Sequence, residues 1–176
     1  MTDTASPARP ADATDSANPQ ARQVLLQKIY VKDASLEVPL APQIFTRPWQ
    51  PTLDVQVNTE AKSLEGDALQ VVLSITVTAK LDNDVAFLVE AQQAGIFSVR
   101  GFVGAEEKQA VAGAYCPNLL FPFARETVAD LVQRAGFPQL LLQPINFDAL
   151  FIEHLQRNRA QAAAAANGDA PAPTVN

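Results

Sequence analysis

Cysteine, histidine, tryptophan and methionine each occur once in these 176 residues, and glycine only seven times. Those shortages exclude much chemistry. A single cysteine, Cys116, cannot close an internal disulfide, which suits a reducing compartment. One cysteine and one histidine cannot build the usual four-ligand zinc site, so no metal is expected. Any histidine-centred triad would have to use His154, and no G-x-S-x-G elbow supplies its nucleophile. The glycines form no G-x-x-x-x-G-K-S/T loop, and Gly101 with Gly104 is too sparse for a dinucleotide fingerprint. No cofactor and no ATP hydrolysis are therefore expected. Positive charge is scarce too. Thirteen Lys and Arg against nineteen Asp and Glu leave a formal charge of −6, which argues against a nucleic-acid or anionic-membrane partner and leaves room for a basic protein. No apolar run approaches the roughly 18 to 20 residues of a membrane helix. Met1-Thr2-Asp3 opens neither a basic nor an apolar leader region, so a cytoplasmic location without membrane insertion is expected.

The remaining candidates for chemistry have structural explanations. His154 falls beside an apolar helical stripe and reads as a structural or surface residue. Cys116, in Ala114-Tyr115-Cys116-Pro117, has no basic neighbour nearer in sequence than Lys108 and reads as buried and inert. The carboxylate pairs Asp82/Asp84 and Glu106/Glu107 fall in expected turns, where solvated loops are the default.

The fold class read from the pattern is α+β, a four-stranded antiparallel sheet followed by two helices. Residues 1–22 are Ala, Pro, Asp, Thr and Ser with almost no large apolar side chain, and are expected to be a disordered extension. The folded domain is placed at 23–156, and 157–176 is expected to be a helix end and a flexible Ala/Pro-rich tail. Ala162 to Ala166 can prolong a helix that Asn167-Gly168 stops. Between Gln27 and Val38 the apolar parity switches, from Ile29 and Val31 to Leu36 and Val38, which predicts a bulge or a strand covered on different sides along its length. Leu53, Val55 and Val57 alternate with polar residues. Leu69 to Leu81 alternates most clearly, Asp82-Asn83-Asp84 is a turn, and Val85 to Gln93 is the returning strand. A helical period follows. Pro122 is expected in a first helical turn, Val128, Leu131, Val132 and Ala135 form a stripe, and Gly136 with Pro138 ends it. A second helix starts at the N-cap Asn146, with Phe147, Leu150, Phe151 and Leu155 on one side and Arg157 and Arg159 late.

Two surface patterns remain. Leu88 and Glu90 share one strand face, Val89, Ala91 and Gln93 the other, and Asp33 and Glu37 share a face of the first strand. Neighbouring strands would gather these carboxylates around a leucine, either as an ordinary solvated face or as a docking patch. Phe45, Trp49, Phe121, Phe123 and Phe137 lie in or beside proline-containing segments. They are either core anchors under long loops or the lining of an apolar groove for extended peptides. Composition does not choose.

Five motifs do. Ile29-Tyr30-Val31-Lys32-Asp33, Trp49-Gln50-Pro51, Gln92-Gln93-Ala94-Gly95-Ile96-Phe97, Gly113-Ala114-Tyr115-Cys116-Pro117-Asn118-Leu119-Leu120-Phe121-Pro122 and Pro144-Ile145-Asn146-Phe147-Asp148-Ala149-Leu150 together resemble the SecB family of protein-export chaperones. The resemblance spans about Gln27 to Leu155. It implies a homotetramer, a dimer of dimers, with sheets outside and helices between the dimers. It implies a protein that is not an enzyme, that holds unfolded precursor proteins and passes them to the SecA motor ATPase. It assigns motor contact to Asp33, Glu37, Leu88 and Glu90, subunit assembly to Val89, Ala91 and Gln93, and groove lining to the crossover segment that carries Trp49. Phe45, Phe121 and Phe137 join Trp49 as candidate client contacts. The long N-terminal extension and the tail Gln161 to Asn176, without Lys or Arg, depart from the family pattern. A SecB-like chaperone protecting an antitoxin is the alternative, and a small-molecule enzyme on a similar scaffold lacks a nucleophile–base pair.

Overall fold

The computed structural model describes residues 22–167, with side chains up to Gln161; the expected disordered extension over 1–21 and flexible tail over 168–176 lie outside the described residues. Strands β1 (Gln23–Glu37), β2 (Thr52–Ser63), β3 (Ala68–Leu81) and β4 (Asp84–Arg100) form one antiparallel sheet in the order β1-β4-β3-β2. Three helices follow, α1 (Ala105–Ala110), α2 (Cys116–Arg134) and α3 (Phe147–Asn167). The expected α+β class holds.

Alternation in β3 and β4 builds the core. Val71, Leu73, Ile75, Val77 and Ala79 on β3, with Phe87, Val89, Ala91 and Phe97 on β4, are all buried on one face. α2 lays Cys116, Leu120, Ala124, Val128 and Val132 across that face, each fully buried. A buried Val or Leu contributes roughly 1.5–3 kcal/mol, so this single seam dominates the packing.

β1 stays in phase with the core by slipping twice. Its register against β4 shifts between Leu26 and Lys28 and again between Val31 and Asp33. Each extra residue flips the side-chain parity. Val24 and Leu26, then Ile29 and Val31, then Ala34 and Leu36 therefore face inward in turn, opposite the inward residues of β4. One parity switch was expected in this strand; there are two.

The helical region differs from the expectation in extent. Helix begins at Ala105 and runs without a break to Arg134, so Pro122 lies inside α2, not in a first turn. Glu106 and Glu107 are first-turn residues of α1, where acidic groups favour the macrodipole, and Cys116 sits within the rod. Val111–Tyr115 is a π turn, in which the Cys116 N–H reaches the Val111 carbonyl. Pro117 explains that turn. Its ring would clash with the Gly113 carbonyl in a regular helix, and the wider loop relieves the contact. The inserted residue also breaks the 3.6-residue phase, so Val111 joins the core of Cys116 and Leu120 at a spacing no regular helix gives. β4 likewise outruns the expected end at Gln93 and reaches Arg100. α3 continues through Ala162–Ala166 to Asn167, in keeping with the expected helix end, but Arg157 and Arg159 fall in mid-helix, not late.

α3 is capped as expected, with the Asn146 side-chain oxygen accepting from the Ala149 N–H at 3.0 Å. It rests chiefly on the π turn, where Gly113 lets the Phe151 ring touch the backbone. A Cβ at Gly113 would clash with the edge of that ring. Gly113→Ala should therefore loosen α3 by about 1–3 kcal/mol while the sheet persists. Amide hydrogen exchange should show faster exchange in α3 and unchanged protection in β3 and β4; equal protection throughout would contradict this packing.

Candidate functional site

The crossover from β1 to β2, residues 38–51, carries the first site. Prolines 39, 42, 48 and 51 keep it from joining either strand. A single 3-10 turn, Gln43–Thr46, drives Ile44 into the core and leaves Phe45 on the surface. Arg47, preceding Pro48, is extended as that position demands. Trp49 is thereby turned back toward the sheet.

The floor comes from the far end of α2. Gly136 adopts φ +92°, the Gly136 N–H bonds to the Gln133 carbonyl, and the Phe137 N–H bonds to the Val132 carbonyl. This left-handed cap swings Phe137 under the crossover. Its ring lies 5.0 Å from those of Phe45, Trp49 and Phe87, all tilted, and Trp49 stacks on Phe87 at 6.2 Å. Phe87 and Phe137 are buried, Trp49 is half-buried, and Phe45 is 48% exposed. Graded burial of this kind makes an apolar floor with an open rim.

Phe121 stands apart from that cluster. It is buried edge-on against Phe147 at 5.7 Å. It also borders a trough of about 670 Å³ between α2 and the chain after Phe137, with Pro122, Ala129, Leu141 and Pro144. Leu141, 56% exposed, is an apolar wall residue that the sequence reading missed. Its neighbours Leu140 and Leu142 point inward, and a run of three leucines outside any regular period conceals which one is exposed.

The acidic face is assembled by the second slip in β1. Beyond it, Glu37 pairs with Leu88, Ser35 with Glu90 and Asp33 with Gln92, so all six side chains share the outer face. Asp33, Glu37 and Glu90 are exposed and Leu88 is half-buried. Thr76 on β3 donates to Glu90 at 3.5 Å. On the opposite face Val89, Ala91 and Gln93 lie buried beneath α2, and the Gln93 side-chain oxygen accepts from the Thr127 hydroxyl at 3.5 Å. These three residues fix how α2 sits on the sheet.

His154 is exposed on α3, with Asn158 at 2.9 Å from its Nε2. Cys116 is fully buried, and burial alone pushes its thiol up to about 12. Among the described residues no helix is long and apolar enough to cross a membrane.

Comparison with known proteins agrees with the motifs. A family model described as preprotein translocase subunit SecB matches residues 17–158. The protein-export protein SecB of Hydrogenovibrio crunogenus is 50% identical over 138 residues, covering 78% of this chain and 92% of its own. That of Ectopseudomonas mendocina is 48% identical over 157 residues, covering 89% and 95%. A Mycobacterium tuberculosis SecB-like chaperone, solved with a peptide from the HigA1 antitoxin, shares the fold at a TM-score of 0.60. It is 22% identical and covers 69% of this chain and 90% of its own.

A neutral thiol in the fold and an ordinary one in the unfolded chain link stability to pH. The contribution is complete below the ordinary thiol value of 9.0 and is lost as pH rises through about 12. Native protein at pH 8 should resist a maleimide and react fully once unfolded in urea, and its melting temperature should fall above pH 9. Rapid native labelling would contradict the buried placement.

Proposed function

Since the chain belongs to the SecB family of protein-export chaperones, we propose that it holds secretory precursors unfolded in the cytosol, without ATP, and delivers them to SecA. The observation that carries this reading is the open aromatic cluster, with Phe45 and Trp49 at the rim and Phe87 and Phe137 beneath. An unfolded chain offers apolar side chains that such a surface buries without reading their order. Phe121 and Leu141 supply a second apolar wall that an extended client could follow. A folded protein has already hidden its apolar groups and is ignored.

Asp33, Glu37, Leu88 and Glu90 form the motor-docking face in this reading. Exposed carboxylates around one leucine steer a basic partner and then seat an apolar contact. Assembly into a dimer of dimers is supported by what the single chain leaves uncovered. Tyr115 at the end of the π turn and Leu119 and Phe123 on α2 are exposed at four-residue spacing, and Leu53 and Val55 are exposed on the inward side of β2. Val89, Ala91 and Gln93 act on assembly indirectly, by setting the seat of α2. Several grooves on one tetramer give a long client avidity even where each contact is weak. The relatives at 48–50% identity are export proteins, which favours export over protection of an antitoxin.

One experiment tests holding and docking together. Without nucleotide, the protein should delay refolding of a slow-folding precursor, and light scattering should give four chains per particle. Glu90→Lys should hold the precursor equally well and bind SecA about tenfold more weakly, with the difference shrinking in salt. Refolding at the unassisted rate would overturn the holding role, and unchanged SecA affinity would overturn the docking face.

A further inference from the structure

Among the described residues, the crossover has one directional tie to the sheet. Its backbone hydrogen bonds are internal: Ala41 to Val38, Ile44 to Leu40, Phe45 to Pro42 and Arg47 to Ile44. The Thr46 hydroxyl also stays within it, donating to the Gln43 carbonyl at 2.8 Å. Among the described residues, its polar contacts with the sheet all come from Arg47. That guanidinium donates to Asp84 at 2.8 Å, to Asp82 at 2.9 Å and to the Leu81 carbonyl at 3.4 Å. All three acceptors sit at the β3–β4 hairpin tip, which Asp82 closes with φ +56°. Ile44 and the stacked rings hold the segment too, but apolar contacts fix no direction. A planar fork on two carboxylates does.

We propose that Arg47 is a positioning residue for client capture, an ionic latch that fixes the Phe45–Trp49 wall of the groove to the β3–β4 hairpin tip. The inference rests on the reading of Phe45 and Trp49 as client contacts. Arg47 stands two residues from each of them, so the latch sets where both rings lie over Phe87 and Phe137. Its partners Asp82 and Asp84 are exposed, so salt screens the attraction. An apolar groove thus acquires a salt-dependent affinity for clients that carry no charge at all.

Trp49 is the sole tryptophan and reports directly on the wall. The test compares the full chain with Arg47→Gln, Arg47→Lys and the pair Asp82→Asn with Asp84→Asn. Emission from Trp49 and affinity for an unfolded, uncharged, tryptophan-free peptide are read at low salt and at about 0.5 M salt. Arg47→Gln and the double Asn variant should each red-shift the emission and weaken the peptide about threefold to tenfold, with melting temperatures unchanged. Combining them should cost no more than either alone, Arg47→Lys should be intermediate, and salt should move only the wild type and Arg47→Lys. Unchanged emission, additive losses, or a shifted emission with unchanged peptide affinity would each overturn the latch. Should the wild type bind no peptide, the chaperone reading fails, while the emission still decides whether Arg47 holds the wall.

Discussion

One seam supports the molecule: the inward residues of β3 and β4 against the buried stripe of α2. A single helix is narrower than a four-stranded sheet, and this one covers β4, β3 and part of β1. The inward side of β2 is left with Leu53 and Val55 in solvent. Because a lone layer cannot hide all its apolar surface, the surplus collects at the sheet edge, along the outer face of α2 and around the crossover. An isolated chain with such patches would aggregate unless they serve association. In the proposed function, subunit packing and client capture are two uses of the same geometric deficit.

The two sheet faces divide the work. In the proposed function, apolar capture belongs to the inward side and its end, where the capped terminus of α2 meets the crossover. Charge belongs to the outward side, and the slip after Val31 puts it there. Without that slip Asp33 and Glu37 would point into the core opposite Ala91 and Phe87, where unpaired carboxylates are costly. A bulge thus converts an awkward sequence into an exposed acidic face.

Strands were largely legible because period-2 alternation survives in a sheet with one solvated face. Leu69 to Leu81 and the Asp82-Asn83-Asp84 turn came out nearly as read, and the parity switch in β1 signalled a real bulge. The acidic face followed from parity once β1 proved to neighbour β4. The first half of the helical rod was hidden, because Pro117 and Pro122 mimic breakers and the π turn shifts the phase. The aromatic groups were half legible. Phe45, Trp49 and Phe137 do meet, through a left-handed cap that Gly136 signalled only as a helix stop. Phe121 lies elsewhere, and neither Leu141 nor the Arg47 contacts left any periodic trace.

The central claim is that clients are captured by burial of apolar surface at the Phe45–Trp49 rim. Calorimetric titration with an unfolded polypeptide over a range of temperatures tests it most directly. The account predicts a clearly negative heat-capacity change on binding, diminished when Phe45 and Trp49 are both replaced by alanine. A heat-capacity change indistinguishable from zero, or one that the double replacement leaves intact, would contradict it.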